Sequence, residues 1–272
     1  MTPDEQLERE AAGRPLAVAA TVGSVVLQLI ALVVGGTLRR APGDAPGAVL
    51  EVPRYLSAHA TGYIASAALL AAGYALLAPT LDYLYLAAKA RRPEVPGIAR
   101  VTAYGGPILF GIGLVALRVI QVVQADDYLA HHRGDYFAAA KIASPGVAAG
   151  VLPAGAFALG FAFVIISLNA MRVGLLTRFM GVLGIIVGVL VAIQLGGSSP
   201  ILWFWLGALA YLLAGRWPGG VPPAWRTGRA EPWPTAQELR ARREREGTGA
   251  AQPVPEPPAP RPRSRKRRGE GR

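Results

Sequence analysis

The chain has 272 residues, a formal net charge of +11 and a mean hydropathy of +0.35. Only 17% of its residues are charged, against about 25% in an average soluble domain, which argues against an ordinary water-soluble fold. Cysteine is absent, which excludes disulfides and thiolate metal centres.

The missing charge is concentrated in long apolar runs, several of them near or above the roughly 18 residues that mark a transmembrane candidate. The abundance of Ala, Gly, Arg and Pro is consistent with GC-rich bacterial codon usage. The expected fold is all-α: a polytopic membrane helix bundle of six transmembrane helices (residues 15–217), between a cytoplasmic segment (1–14) and a disordered Pro/Arg-rich cytoplasmic tail (218–272).

Residues 1–14 are polar, with four acids, and lead into an apolar run over 15–37. A cleaved signal peptide needs a basic start and an apolar region of roughly 7–15 residues, so this run reads as the first span. A loop follows with turn formers Pro42, Asp44, Pro46 and Gly47, and 51–59 is expected to form a short surface helix. The second span begins at Thr61 and continues past Pro79, a kink position, to about Leu86. Asp82 lies within that continuation, and Lys89, Arg91 and Arg92 form a basic exit.

The third span covers 101–123. Arg118, Gln121 and Gln124 recur every three residues in it and share one side, with Asp126 and Asp127 just beyond. Residues 128–145 read as a loop or short interfacial helix. The fourth span runs over 146–171. The fifth, 171–195, is entered through Arg172 and Arg178 and carries Gly181, Gly184 and Gly188, a small-residue face for close helix packing. After the turn Gly196–Pro200 the sixth span completes the set, with Trp203, Trp205, Tyr211 and Trp217 in or beside it.

From Pro218 the composition changes. Eleven of the 23 prolines lie beyond this point, and Arg265, Lys266, Arg267 and Arg268 form a solid basic block. Such a segment buries too little apolar surface to fold alone. Its simplest partner is the anionic lipid headgroups of the inner leaflet, at roughly 1 kcal/mol per basic residue, or a membrane or cytoplasmic protein; nucleic acid is the less economical reading. Basic residues outside the spans favour one orientation, with both termini in the cytoplasm.

Asp82 is the sharpest candidate for function, because an ionisable group within a membrane is costly. It would bind a cation or proton, or pair with a base such as Arg178; the competing reading puts it at the membrane surface. Arg118, Gln121 and Gln124 would line a polar cavity, against an arginine that simply reaches to the headgroups. His131 and His132 with Asp126, Asp127 and Asp135 invite a metal site, but lack the spacing of a ligand set. No metal or cofactor is therefore expected, and His59 reads as inert. Gln28 and Asn169 are expected to bond to neighbouring helices. No catalytic constellation is visible, whether paired carboxylates, HExxH, a Ser–Lys dyad or a phosphate loop.

The stretches LLAPTLDYLYLAAKARRPE (76–94) and NAMRVGLLTRFMGVLGIIVGVL (169–190) resemble uncharacterised six-span integral membrane proteins of actinobacteria and related GC-rich bacteria. The resemblance covers about 15–215 and implies topology, with no transferable activity. The residues thus lead to an inner-membrane protein with a structural or regulatory role. The alternatives are a small-solute or ion transporter using a polar path near Asp82 and Arg118, and a lipid-modifying enzyme.

Overall fold

The computed structural model describes residues 2–37, 48–142, 148–194, 200–218 and 220–233. The basic block 265–268 and the rest of the chain beyond Trp233 lie outside the described residues. All regular structure among the described residues is helical.

The first helix, α1 (Pro3–Thr37), absorbs the polar amino-terminal segment into the same rod as the apolar run. At 1.5 Å per residue it is about 52 Å long, well beyond the roughly 30 Å of a bilayer's hydrocarbon core. After α2 (Ala48–Ala58), the next span is split into α3 (Ala60–Ala75) and α4 (Leu77–Arg91). The break at Leu76 has a local cause. Pro79 has no N–H to offer Ala75, so the regular bonding of the helix is interrupted there.

The third long rod is α5 (Ile98–His131), followed by α6 (Tyr136–Ile142) and α7 (Ala148–Arg172). The chain finishes with α8 (Arg178–Ala192), α9 (Pro200–Leu213) and α10 (Pro223–Thr227). Among the described residues, four stretches are long and apolar enough to cross a membrane: Pro3–Gly36, Ala60–Arg91, Ile98–His131 and Gly150–Arg172. The stretch expected as a span over 171–195 is shorter than that. Its first residues end α7 and form a turn, and Thr177 caps α8 by accepting from the Met180 N–H at 3.2 Å.

Neighbouring rods run antiparallel. Along α1, Gly35 lies beside Ser66, Gly73 beside Gln28 and Gly13 beside Tyr83. Between α5 and α7 the backbones nearly touch. A Cβ added at Gly106 would lie 2.5 Å from Leu159 N, one at Gly113 would lie 2.8 Å from Leu152 Cα, and one at Gly155 would collide with Phe110 N. The α7–α8 pair repeats the device. Gly188 faces the Gly160 carbonyl, Gly184 faces Ser167 and Gly181 faces Met171. Glycine at these positions lets main chains approach closely enough for dense van der Waals contact.

Two cores result. The larger is built on Leu77, Leu81, Leu84, Phe163, Ile166 and Trp205, with the Trp205 indole donating to Met180 O at 2.9 Å. A smaller one joins Leu56 of α2, Ala125 and Tyr128 of α5, and Ala139 and Ile142 of α6. It caps one end of the bundle. The outside is strongly apolar. On α8, Phe179, Val182, Ile186, Val189 and Ile193 are all exposed, at alternating spacings of three and four, so they form one stripe opposite the buried glycines.

The contrast between crowded and open glycines is testable. Gly155→Val should destabilise the bundle by more than about 2 kcal/mol through overpacking. Gly207→Ala, where nothing lies within 4 Å, should be neutral or slightly stabilising. Thermal unfolding in detergent would read both, and equal melting temperatures would refute the packing account.

Candidate functional site

The most heavily built polar site lies at the end of the bundle opposite the α2–α6 cap. Its centre is Arg91, the last residue of α4, whose side chain has no exposed surface; its partner, Glu10 of α1, has a side chain 4% exposed. The pair is bidentate: Arg91 Nη1 donates to Glu10 Oε1 and Nη2 to Oε2 at 2.9 Å. Nη1 also donates to Ala87 O at 2.9 Å, and Nη2 to Ala224 O of α10 at 2.7 Å.

Trp225 closes this site. Its ring stacks on Tyr83 at 5.5 Å, nearly parallel, and lies 5.5 Å from the Arg91 guanidinium and 5.7 Å from that of Arg14. Its indole donates to Leu175 O at 3.0 Å, while Tyr83 Oη donates to Glu10 O at 3.0 Å. Glu231 N then donates to Val173 O at 3.1 Å. One buried guanidinium and one indole thereby fasten residues 223–231 to α1, α4 and the α7–α8 turn.

The expected boundary of the disordered tail at Pro218 moves accordingly. Residues 220–233 belong to the helical body, which extends to Trp233. The reason is local: Pro223 starts α10, Gly228 takes the left-handed conformation at its end (φ 67°), and Trp225 supplies the apolar surface that a Pro-rich segment usually lacks.

Asp82 is buried and accepts from Arg100 Nε at 2.8 Å and from Tyr104 Oη at 2.9 Å. Its base is therefore Arg100, near the start of α5, in place of the expected Arg178. The α4–α5 turn is short, and α5 returns directly alongside α4, which brings Arg100 to the carboxylate.

Arg118 sits in a separate cluster. Nη1 donates to Tyr63 Oη and to Gln121 Oε1 at 2.9 Å, and the guanidinium lies 4.5 Å from the Tyr63 ring centre. Among the described residues it has no carboxylate partner; Asp127 instead faces His131, at 3.1 Å. Gln124 Oε1 is buried without a partner. Arg100 and Arg118 are separated by about 27 Å along α5, with no charged residue between them. Asp82 and Arg118 thus belong to opposite ends of the rods.

Between these levels the buried polar groups satisfy one another. Thr21 and Thr80 hydroxyls are 3.0 Å apart, Gln28 Nε2 donates to Ser24 Oγ at 3.0 Å, and Trp203 Nε1 donates to Gln28 Oε1 at 3.1 Å. Gln28 does bridge to a neighbouring helix, whereas Asn169 bonds back to Ile165 O of its own helix at 2.8 Å. Gly181, Gly184 and Gly188 line the α7–α8 contact. Among the described residues, no group of three or more His, Asp or Glu side chains converges to hold a metal ion.

Comparison with family models, with curated proteins and with solved structures finds no match. The fold itself defines the class: among the described residues all regular structure is helical, with four stretches of membrane-spanning length and apolarity.

Removing one partner of a buried ion pair typically costs about 3–5 kcal/mol, because the other charge is stranded. Arg91→Met should therefore destabilise the protein strongly and expose Arg226 and Arg229 to trypsin. The double variant Glu10→Leu/Arg91→Met should recover part of the loss. A digestion pattern and melting temperature unchanged in Arg91→Met would contradict the clamp.

Proposed function

We propose that this chain is a six-span integral membrane protein of the bacterial inner membrane, with both termini cytoplasmic and a structural or regulatory role. In this reading the helical body is a membrane anchor for a basic cytoplasmic tail. The observation that carries it is the clamp: Arg91, Glu10 and Trp225 tie the last described segment to the amino-terminal end of α1. The described chain thus ends, at Trp233, in a segment fastened to the helical body.

Several features support six crossings. At about 22 and 21 Å, α8 and α9 are short for the roughly 30 Å core, but a bilayer thins locally around short spans. The exposed apolar stripe of α8 runs the whole length of the helix, which suits contact with lipid. The two arginines of α5 bracket about 27 Å of uncharged helix, close to the thickness of a hydrocarbon core. Lys89, Arg91, Arg92, Arg100, Arg172 and Arg178 collect at the ends of α4, α5, α7 and α8 that share the clamp's side, consistent with the positive-inside rule.

The separation of Asp82 from Arg118 favours anchoring over transport. Each has its own partners, and the polar groups between them are closed in pairs. The basic tail suits the anionic inner leaflet, a membrane or cytoplasmic protein partner, or both in turn.

The absence of native cysteine makes topology directly measurable. In spheroplasts, a membrane-impermeant maleimide should label Ala130→Cys and Ser198→Cys from outside and Ala230→Cys only after lysis. Labelling at 130 without labelling at 198 would sink the six-span reading, leaving four crossings and a hairpin that turns back within the bilayer. Deleting residues 250–272 should weaken binding to anionic vesicles or to a co-purifying protein while leaving membrane insertion intact. Unchanged retention of both would exclude the tail as the working part.

A further inference from the structure

Beside the clamp, α1 and α4 enclose an open cleft of about 400 Å3, lined by Gln6, Arg9, Gly13, Tyr83, Leu86 and Lys89 among others. Its lining combines two chemistries. Leu86, Gly13 and the Tyr83 ring provide an apolar wall, and Arg9 and Lys89 provide two positive charges. Lys89 is held in place by donating to Tyr85 Oη at 2.9 Å, with its ammonium 5.4 Å from that ring's centre. Arg9 is exposed.

The one acid in the lining does not oppose an anion. Glu10 is already bound on both oxygens by Arg91, so its charge is matched inside the protein. Gln6 is buried and donates to Glu10 Oε1, which leaves its own Oε1 without a partner. The cleft therefore offers two cations and an apolar wall at the level where α1 and α4 leave their apolar stretches.

We propose that this cleft is a binding site for one anionic glycerophospholipid, with its phosphate between Arg9 and Lys89 and its glycerol and upper acyl carbons against Leu86, Gly13 and Tyr83. The site is distinct from the tail, whose charges act by general attraction to a surface. Tyr83 also stacks on Trp225, so an occupied cleft would stiffen the same wall that holds the carboxy-terminal segment. The proposal rests on the membrane reading above.

The test uses the full-length protein in neutral detergent at high salt, where the attraction of an exposed tail is screened. Bound lipid is counted by native mass spectrometry and stability by thermal unfolding. Two basic residues near a phosphate predict that phosphatidylglycerol is retained about 20-fold over phosphatidylcholine. Arg9→Gln/Lys89→Gln should abolish that preference; Arg9→Gln alone, at an exposed position, should lose about half of it on a logarithmic scale with an unchanged melting temperature in the absence of lipid.

Equal retention of phosphatidylglycerol by parent and double variant would overturn the site. Free glycerol 1-phosphate that stabilises as well as the lipid would overturn the lipid assignment. Flotation with phosphatidylcholine vesicles separates the two levels of inference. A protein that fails to float refutes the membrane reading, and one that floats without preferring phosphatidylglycerol refutes the cleft alone.

Discussion

A guanidinium with no exposed surface must be met from every direction, and Arg91 imposes that demand on three separate parts of the chain. Burying either charge alone would cost several kcal/mol, and their mutual attraction offsets this only with close geometry and further hydrogen bonds. The bidentate Glu10 carboxylate, the carbonyls of Ala87 and Ala224 and the Trp225 ring meet those conditions together. Nε alone is left over. Such a site adds little net stability compared with an apolar replacement. What it adds is specificity, since few other arrangements of α1, α4 and α10 would leave the charges matched.

The rest of the bundle holds by a different rule. Between helices surrounded by lipid tails there is no hydrophobic drive to associate, so contact must come from shape. The glycines of α5, α7 and α8 provide it by removing side chains where backbones meet: Gly106 and Gly113 against α7, Gly155 against α5, and Gly160 opposite Gly188. Several bulky residues face outwards. Phe157, Phe161, Phe179 and Phe204 are exposed, which is the reverse of a soluble protein and suits an apolar surrounding.

Polar groups follow the same logic of depth. Charged clusters sit near the ends of the apolar stretches, where Arg100 and Arg118 reach aromatic and polar partners. Several of those in the middle are small and neutral and close on a neighbour, as in Thr21 with Thr80 and Gln28 with Trp203. This arrangement orients helices about their long axes. Among the described residues it forms no connected route from Asp82 to Arg118, which favours the proposed anchoring role over transport.

Some of this was written in the amino-acid order alone. The long uncharged runs dictate helices, because an apolar backbone must satisfy its own hydrogen bonds. The spacing of Gly181, Gly184 and Gly188 marks one face of α8, since residues three and four apart share a side. Pro79 announces an interruption, and Pro223 with Gly228 carries a start and stop signal for α10 that composition alone obscured. The sequence could not say which charges meet. The amino-acid order offers Asp82 a base such as Arg178, and only the return of α5 along α4 brings Arg100 to it instead. Likewise Glu10, Arg91 and Trp225 are 81 and 134 positions apart in successive steps along the chain, and no local pattern links them. Periodicity is a property of neighbours and so is legible in a line of residues; a buried charge is matched by whatever the packed helices bring beside it, and that is decided only in three dimensions.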